Sequence, residues 1–225
     1  MAAEVNGQAL PSHNTWVWYG LGCLLQLKKY NCKNFVFSSS SSIYGDTTVF
    51  PTPETAPMMP MSPYGLQKQI GEQYCELFSK YIELNEGGFM NTACLRYFNV
   101  YSEDQKCGGP YSTVISSWLD CIRNNKPLRL DGDGSQTRDF IHVEDVARAN
   151  YIAATADLGD HIGEVFNIGS GKNYSIKDIA DVISDNQVFI PKRSGEMETT
   201  LADITKVESV MGWKPEIDVL EWIKQ

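Results

Sequence analysis

No two cysteines in this 225-residue chain stand at the C-x-x-C spacing of a metal knuckle or a redox dithiol. Its six cysteines (Cys23, Cys32, Cys75, Cys94, Cys107 and Cys121) are scattered, and its three histidines do not cluster with them. That pattern argues against a zinc site or a disulfide frame and for reduced thiols in a cytoplasmic protein. Positive charge is also short. The net charge is −9 and the isoelectric point about 4.8, the opposite of the basic face that nucleic acid or an anionic bilayer selects. Neither is expected as a partner. Long apolar runs are missing too. The stretch "WVWYGLGCLLQL" is twelve residues long, against the roughly 20 needed to span a bilayer. No basic residue precedes it and no small-residue cleavage site follows, so a signal peptide is not expected either. There are no internal repeats.

What is present is an ordinary globular mixture, 42% hydrophobic and 21% charged, long enough for one sizeable core. Residues 1–14 show no period and read as loop or tail. Residues 15–30 read as a helix whose last turn carries Lys28 and Lys29, where cations suit the helix dipole. "NFVFSS" reads as a short buried strand. It runs into five consecutive serines, Ser38 to Ser42, the one low-complexity stretch. A loop with five prolines follows, because proline donates no backbone hydrogen bond. Ser62 as cap and Pro63 at the first helical position open a helix from Tyr64 to about Ile82. "NTACLRYFNV", residues 91–100, is the next strand. Strand, helix, strand implies a right-handed crossover and a parallel sheet. Beyond Tyr101, helices are expected at "YSTVISSWLDCIRNN", "VEDVARANYIAATA", "SIKDIADVIS" and the C-terminal segment. Short strands are expected at "PLRL", "DFIHV" and "EVFNIGSG".

The chemistry-bearing spacing is in "SPYGLQKQ". Tyr64 and Lys68 are four apart at a helix start and share one face. An ammonium beside a phenol favours the phenolate, which makes Tyr64 a candidate general base for a hydroxyl proton. The serines lie at a strand end, where an open parallel sheet places its ligand crevice.

The run "FVFSSSSSIYGD…SPYGLQKQIGEQY…CLRYFNVYSEDQ…GDGSQTRDFIHVEDVARA…FNIGSGKNYSI…PKRSGE…LADITK…MGWKP" resembles the extended short-chain dehydrogenase/reductase family. The nearest branch is the NAD-dependent nucleotide-sugar epimerases of the UDP-glucose 4-epimerase type. The resemblance begins near Asn14 and implies roles at matching positions. Ser40 would be the catalytic hydroxyl, bonded to the sugar, with Ser42 assisting. Tyr64 would be the base. Lys68 would hold the nicotinamide ribose of NAD, and Phe98 would lie near the nicotinamide. Asn99, Arg138 and Arg193 would bind the substrate diphosphate, for which guanidinium forks suit phosphate oxygens. Thr200 falls where a bulky residue narrows the sugar pocket in some relatives. A small residue there implies room for an N-acetylhexosamine, so UDP-N-acetylglucosamine would be accepted besides UDP-glucose.

Within the family, a dehydratase carries Asp-Glu after the catalytic Ser or Thr, and decarboxylase-type relatives carry Glu two positions on. Here those positions are Ser41 and Ser42, so 4-epimerisation is the expected reaction. The alternatives are a dehydratase or reductase of the same family, and a non-catalytic fragment that binds a UDP-sugar or a protein partner. No G-x-x-G-x-x-G follows a strand: "GLGCL" lacks the third glycine and "GSGKNYSI" lies far downstream. The expected fold is therefore α/β, a Rossmann-like parallel sheet lacking its first β-α units, with a small α/β substrate lobe. Residues 15–100 would form the second half of the Rossmann-like domain and 101–225 the lobe, with an interleaved boundary. Weak NAD binding, an exposed strand edge at "NFVFS" and an impaired enzyme are the corollaries. The resemblance also implies a homodimer through a helix pair that includes residues 64–82.

Overall fold

The computed structural model describes residues 4–5, 8–9, 13–105, 113–192 and 197–224, with side chains from residue 20 onward. The expected loop over 1–14 instead contains two short strands, β1 (Glu4–Val5) and β2 (Gln8–Ala9), paired antiparallel. Asn6-Gly7 between them is the dipeptide that favours hairpin turns. Helix α1 (His13–Lys29) ends in Lys28 and Lys29 as its dipole favours.

Strand β3 (Asn34–Ser40) follows. Its β-branched and aromatic start suits a pleated, half-buried surface. The Pro-rich connection leads to α2 (Pro63–Lys80), capped by the Ser62 hydroxyl, which accepts from the Gly65 N–H. Cap and first-turn proline both stand where the sequence placed them. The expected strand 91–100 divides at Phe98 into β4 (Asn91–Tyr97) and β5 (Asn99–Tyr101). Phe98 donates its N–H to Ile168 O, and beyond it the chain leaves one sheet for another.

The remaining elements are α3 (Val114–Arg123), β6 (Leu128–Asp131), β7 (Thr137–Arg138), β8 (Phe140–His142), α4 (Val143–Thr155), β9 (Val165–Ile168), β10 (Tyr174–Ser175), α5 (Ile176–Ile183), β11 (Gln187–Ile190), α6 (Thr205–Met211) and α7 (Val219–Ile223). Among them β11 was not legible as a strand. Its four residues pair in parallel with β6, beginning Gln187↔Leu128, and two of them, Val188 and Phe189, remain exposed.

The fold is α/β. Its principal sheet is parallel, in the order β3-β4-β9. β4 is central and β3 is an edge, as expected. The carboxyl ends of all three strands, Ser40, Tyr97 and Ile168, lie at one side, because Ser40 pairs with Tyr97 and Tyr97 with Ile168. A core of Leu95, Phe166, Ile168, Ala149, Val207 and Trp213 fills the space between this sheet, α4 and α6. A second core, around Trp118, Leu128, Leu130, Ile179 and Tyr101, joins α3, β6, α5 and α7. β5 leaves the first unit to pair with β8, so the cavity described below lies just past the sheet's carboxyl edge. Among the described residues, no helix is long and apolar enough to cross a membrane.

Candidate functional site

The serine run is not a flexible linker. Ser38 to Ser40 finish β3, and Ser41 to Ile43 form one 3-10 turn. Each hydroxyl has a distinct setting. Ser38 Oγ lies 3.1 Å from Tyr97 Oη. Ser39 Oγ donates to Glu72 Oε1 at 2.5 Å. Ser40 Oγ caps the 3-10 turn by accepting from Ser42 N at 3.2 Å. Ser42 Oγ is enclosed and has no hydrogen-bond partner among the described residues. Enclosed polar atoms are seldom left so, and one beside a crevice is suited to a ligand hydroxyl.

Helix α2 packs its start against this turn. Gly65 lies so near that a Cβ there would stand 2.7 Å from Ser42 O. Only glycine permits that approach, which places neighbouring Tyr64 beside the serines. Tyr64 keeps 42% of its surface exposed. One turn on, Lys68 Nζ donates to Ser38 O at 2.7 Å and sits 5.4 Å from the centres of both the Tyr64 and Phe37 rings. Burial of the ammonium lowers the Lys68 pKa. The cation is thus held, poorly solvated, at the face of the phenol, where its field favours the phenolate.

Two residues past Tyr97, the β4 partner of Ser40, a cavity of about 350 Å³ opens. Asn99, Arg138, Gln136, Asp131, Arg129 and Trp118 are among its walls. Arg138 is largely buried, and its Nη1 donates to Thr137 O at 2.9 Å. Asn99 Nδ2 donates to Asp139 O at 2.8 Å and to Thr200 Oγ1 at 3.0 Å. The structure therefore brings Asn99 and Thr200 together and puts Asn99 and Arg138 in one cavity. Thr200 itself is buried, and its hydroxyl also accepts from Asp139 N. Phe98 packs into a small core with Ile43, Tyr44, Ala56 and Ala202. Arg193 lies outside the described residues.

Two arrangements were not read from the sequence. The first is a buried polar network beneath the serines. Glu72 takes bonds from Ser39, from Arg96 Nε at 2.9 Å and from Arg96 Nη2 at 2.7 Å. Arg96 Nη1 donates to Tyr44 Oη at 2.8 Å, and Tyr44 Oη donates to Asn167 Oδ1 at 2.6 Å. The signals were there: Glu72 falls four residues after Lys68 on the same helix face, and Arg96 interrupts an apolar strand. The second is Asp139. Its carboxylate accepts from Ser170 N and Oγ, Gly171 N and Ala202 N. Burial pushes its pKa up to about 6, against those four bonds, which favour the ionised form. The glycine-bearing turn after β9 is thereby committed to a carboxylate.

Comparison with known proteins gives a consistent picture. A model of the "NAD dependent epimerase/dehydratase family" matches residues 23–169. A putative UDP-glucose 4-epimerase of Methanocaldococcus jannaschii is 38% identical over 212 residues, covering 91% of this chain and 65% of that protein. A UDP-glucose 4-epimerase of Halalkalibacterium halodurans is 30% identical over 88% of this chain and 63% of its own length. The chain thus spans a little under two-thirds of these relatives. Among solved structures, a UDP-N-acetylglucosamine 4-epimerase of Methanobrevibacter ruminantium in complex with UDP-N-acetylmuramic acid superposes with a TM-score of 0.84 at 31% identity, over 95% of this chain and 69% of that one. A UDP-glucose 4-epimerase of Thermotoga maritima with UDP-glucose gives 0.82 at 33% identity, over 95% and 68%.

Proposed function

The chain belongs to the NAD dependent epimerase/dehydratase family, and from that premise we propose that it carries the sugar-nucleotide cavity and the proton-transfer groups of a UDP-sugar 4-epimerase. The reading is supported by two observations: Lys68 Nζ lies against Ser38 O and the Tyr64 ring at the carboxyl end of β3, and a cavity walled by Asn99 and Arg138 opens two residues past Tyr97, the β4 partner of Ser40. Arg138 is the candidate for a diphosphate in this cavity, with Arg193 as a second; Asn99 would join them only by releasing one of its Nδ2 bonds to Asp139 O and Thr200 Oγ1. Tyr64 takes the proton of the sugar C4 hydroxyl while Ser40 orients that hydroxyl and Ser42 offers a second bond. Lys68 stabilises the phenolate through its field. Elimination needs a carboxylate at the sugar. The positions after Ser40 are serines, and the nearby Glu72 is engaged by Arg96 and Ser39. Epimerisation is therefore favoured over dehydration.

NAD fits part of this site. Lys68 spends one donor on Ser38 O and has two more for ribose hydroxyls, whereas Phe98 is buried in the core with Ile43, Tyr44, Ala56 and Ala202. NAD bound there would supply the hydride acceptor, and then donor, for C4. The described residues offer no cradle for its pyrophosphate: the Ser170 and Gly171 N–H groups are held by Asp139, and Gly20 and Gly22 lie inside α1. That observation favours a second reading, a nucleotide-sugar-binding chain without turnover of its own. Acceptance of an N-acetylhexosamine besides glucose through Thr200, a homodimer through α2 and a cytoplasmic location belong to the proposal. The location rests on free buried thiols at Cys75 and Cys94.

The test is interconversion of UDP-galactose and UDP-glucose by the chain in excess NAD, followed by NMR of the sugar. The reading expects interconversion that Tyr64→Phe lowers by about 10²–10⁴-fold. A dehydrated product would overturn it. Absence of turnover with retained UDP binding would decide for the second reading.

A further inference from the structure

The groups assigned above sit on two different elements. Tyr64 and Lys68 ride on α2, whereas Ser40 and Ser42 belong to β3 and the turn after it. Their mutual geometry is only as good as the joint between those elements. Among the described residues β3 is an edge strand with one ladder partner, so the ladder alone does not fix it.

One buried carboxylate makes the joint. Glu72 lies on the same face of α2 as Tyr64 and Lys68, at steps of four residues. It receives Ser39 Oγ from β3 at 2.5 Å and both Nε and Nη2 of Arg96 from β4. Side-chain exposures are 2% for Arg96 and 5% for Glu72. The same Arg96 reaches Tyr44 Oη, just past the 3-10 turn, and Glu54 O. Tyr44 passes on to Asn167 of β9, and Glu54 Oε1 accepts from Asn167 N at 2.8 Å. Ser39 and Tyr44 therefore bracket the segment that carries Ser40 and Ser42, and both ends are fastened to one Glu72–Arg96 pair. A buried ion pair is weak evidence of stability as such, since desolvation offsets most of the attraction. Its worth here is directional: two planar forks define a single docking of helix on strand.

We propose that Glu72, with Arg96 as its counter-cation, is the positioning residue that sets Tyr64 and Lys68 against the Ser40–Ser42 turn. The proposal rests on the catalytic reading of those residues, and its test reads the geometry without requiring turnover. Lys68 reports it, because its ammonium is desolvated only while α2 holds it against Ser38 O, Phe37 and Tyr64.

The experiment follows the titration of Lys68 by NMR of lysine-labelled protein, assigned with Lys68→Arg, in wild type, Ser39→Ala and Glu72→Gln. Asp145→Asn serves as control. Asp145 is equally buried and paired with Arg148, but it binds the Glu216–Ile217 segment instead of the site. Loosening the clamp hydrates Lys68, and the expected result is an upward move of its pKa by about 0.5–1 unit in both site variants. Asp145→Asn is expected to lower the melting temperature with Lys68 unmoved. Lys68 titrating as in wild type in both site variants, whatever their melting temperatures, would overturn the proposal. Where Glu72→Gln does not fold, Ser39→Ala decides alone. Tyr64→Phe turnover, measured in parallel, tests the catalytic reading separately: no effect there would sink that reading and leave the clamp standing.

Discussion

β3 and β4 are both seven residues long and run side by side, paired from Asn34↔Asn91 to Ser40↔Tyr97. They are held in different ways. β4 is central, and Thr92 to Arg96 are all buried. β3 is an edge whose Phe35, Val36 and Phe37 are only half-buried. Its apolar start packs on the cores through Phe35, Val36 and Phe37, and polar ties are added along it: Asn34 to Ala154 O, Ser38 to Tyr97, Ser39 to Glu72 and Lys68 to Ser38 O. The core strand is secured by burial, which is insensitive to direction. The serine end of the site strand relies on hydrogen bonds, which are directional and individually weak. A reacting hydroxyl needs the second kind of support, because its position must be specified more closely than its stability.

Substitutions at matched places should separate the two modes. Leu95→Ala, in the centre of β4 with no exposure, is expected to cost about 3–5 kcal/mol in urea unfolding. Val36→Ala in β3 should cost about 1 kcal/mol. Equal losses would break the comparison. Gly65→Ala comes next. The added methyl meets the Ser42 carbonyl at 2.7 Å and is expected to cost about 1–3 kcal/mol. Ligand binding or turnover should suffer more than stability, since the methyl forces α2 off the turn.

Asp139 sharpens the point through pH. Its folded pKa, about 6, lies above its ordinary value near 3.8. Between those values the native state holds the proton and the unfolded chain does not. This group therefore makes the fold more stable as pH falls from about 6 to 4, and the contribution disappears above the folded value. Urea midpoints of wild type and Asp139→Asn across pH 4–7 should differ in slope in that sense. A parallel pair of curves would remove the shift. The smallest effect is expected at Gly22→Ala. A Cβ there meets nothing within 4 Å, so the change should stabilise α1 by about 0.5–1 kcal/mol.

Much of this was legible. The Ser62-Pro63 start of α2 and the Tyr64–Lys68 pair follow from caps and helix spacing, and the edge position of β3 was implied by the family resemblance. Arg138 and Asn99 were expected together and do share a cavity. Other features needed the fold. Nothing local says that Ser39 reaches a carboxylate 33 residues away, or that the glycines after β9 serve Asp139 and not a phosphate. β11 escaped because a four-residue strand with exposed Val188 and Phe189 has no alternation to read. The β1–β2 pair escaped because residues 1–14 show no period.

The most direct test is a calorimetric titration of the chain with UDP, repeated on Arg138→Met. The account expects one site in the wild type and at least a tenfold loss of affinity in the variant, as removal of a guanidinium–phosphate contact should cause. UDP that does not bind, or binds equally to both proteins, would contradict the assignment of the Asn99–Arg138 cavity.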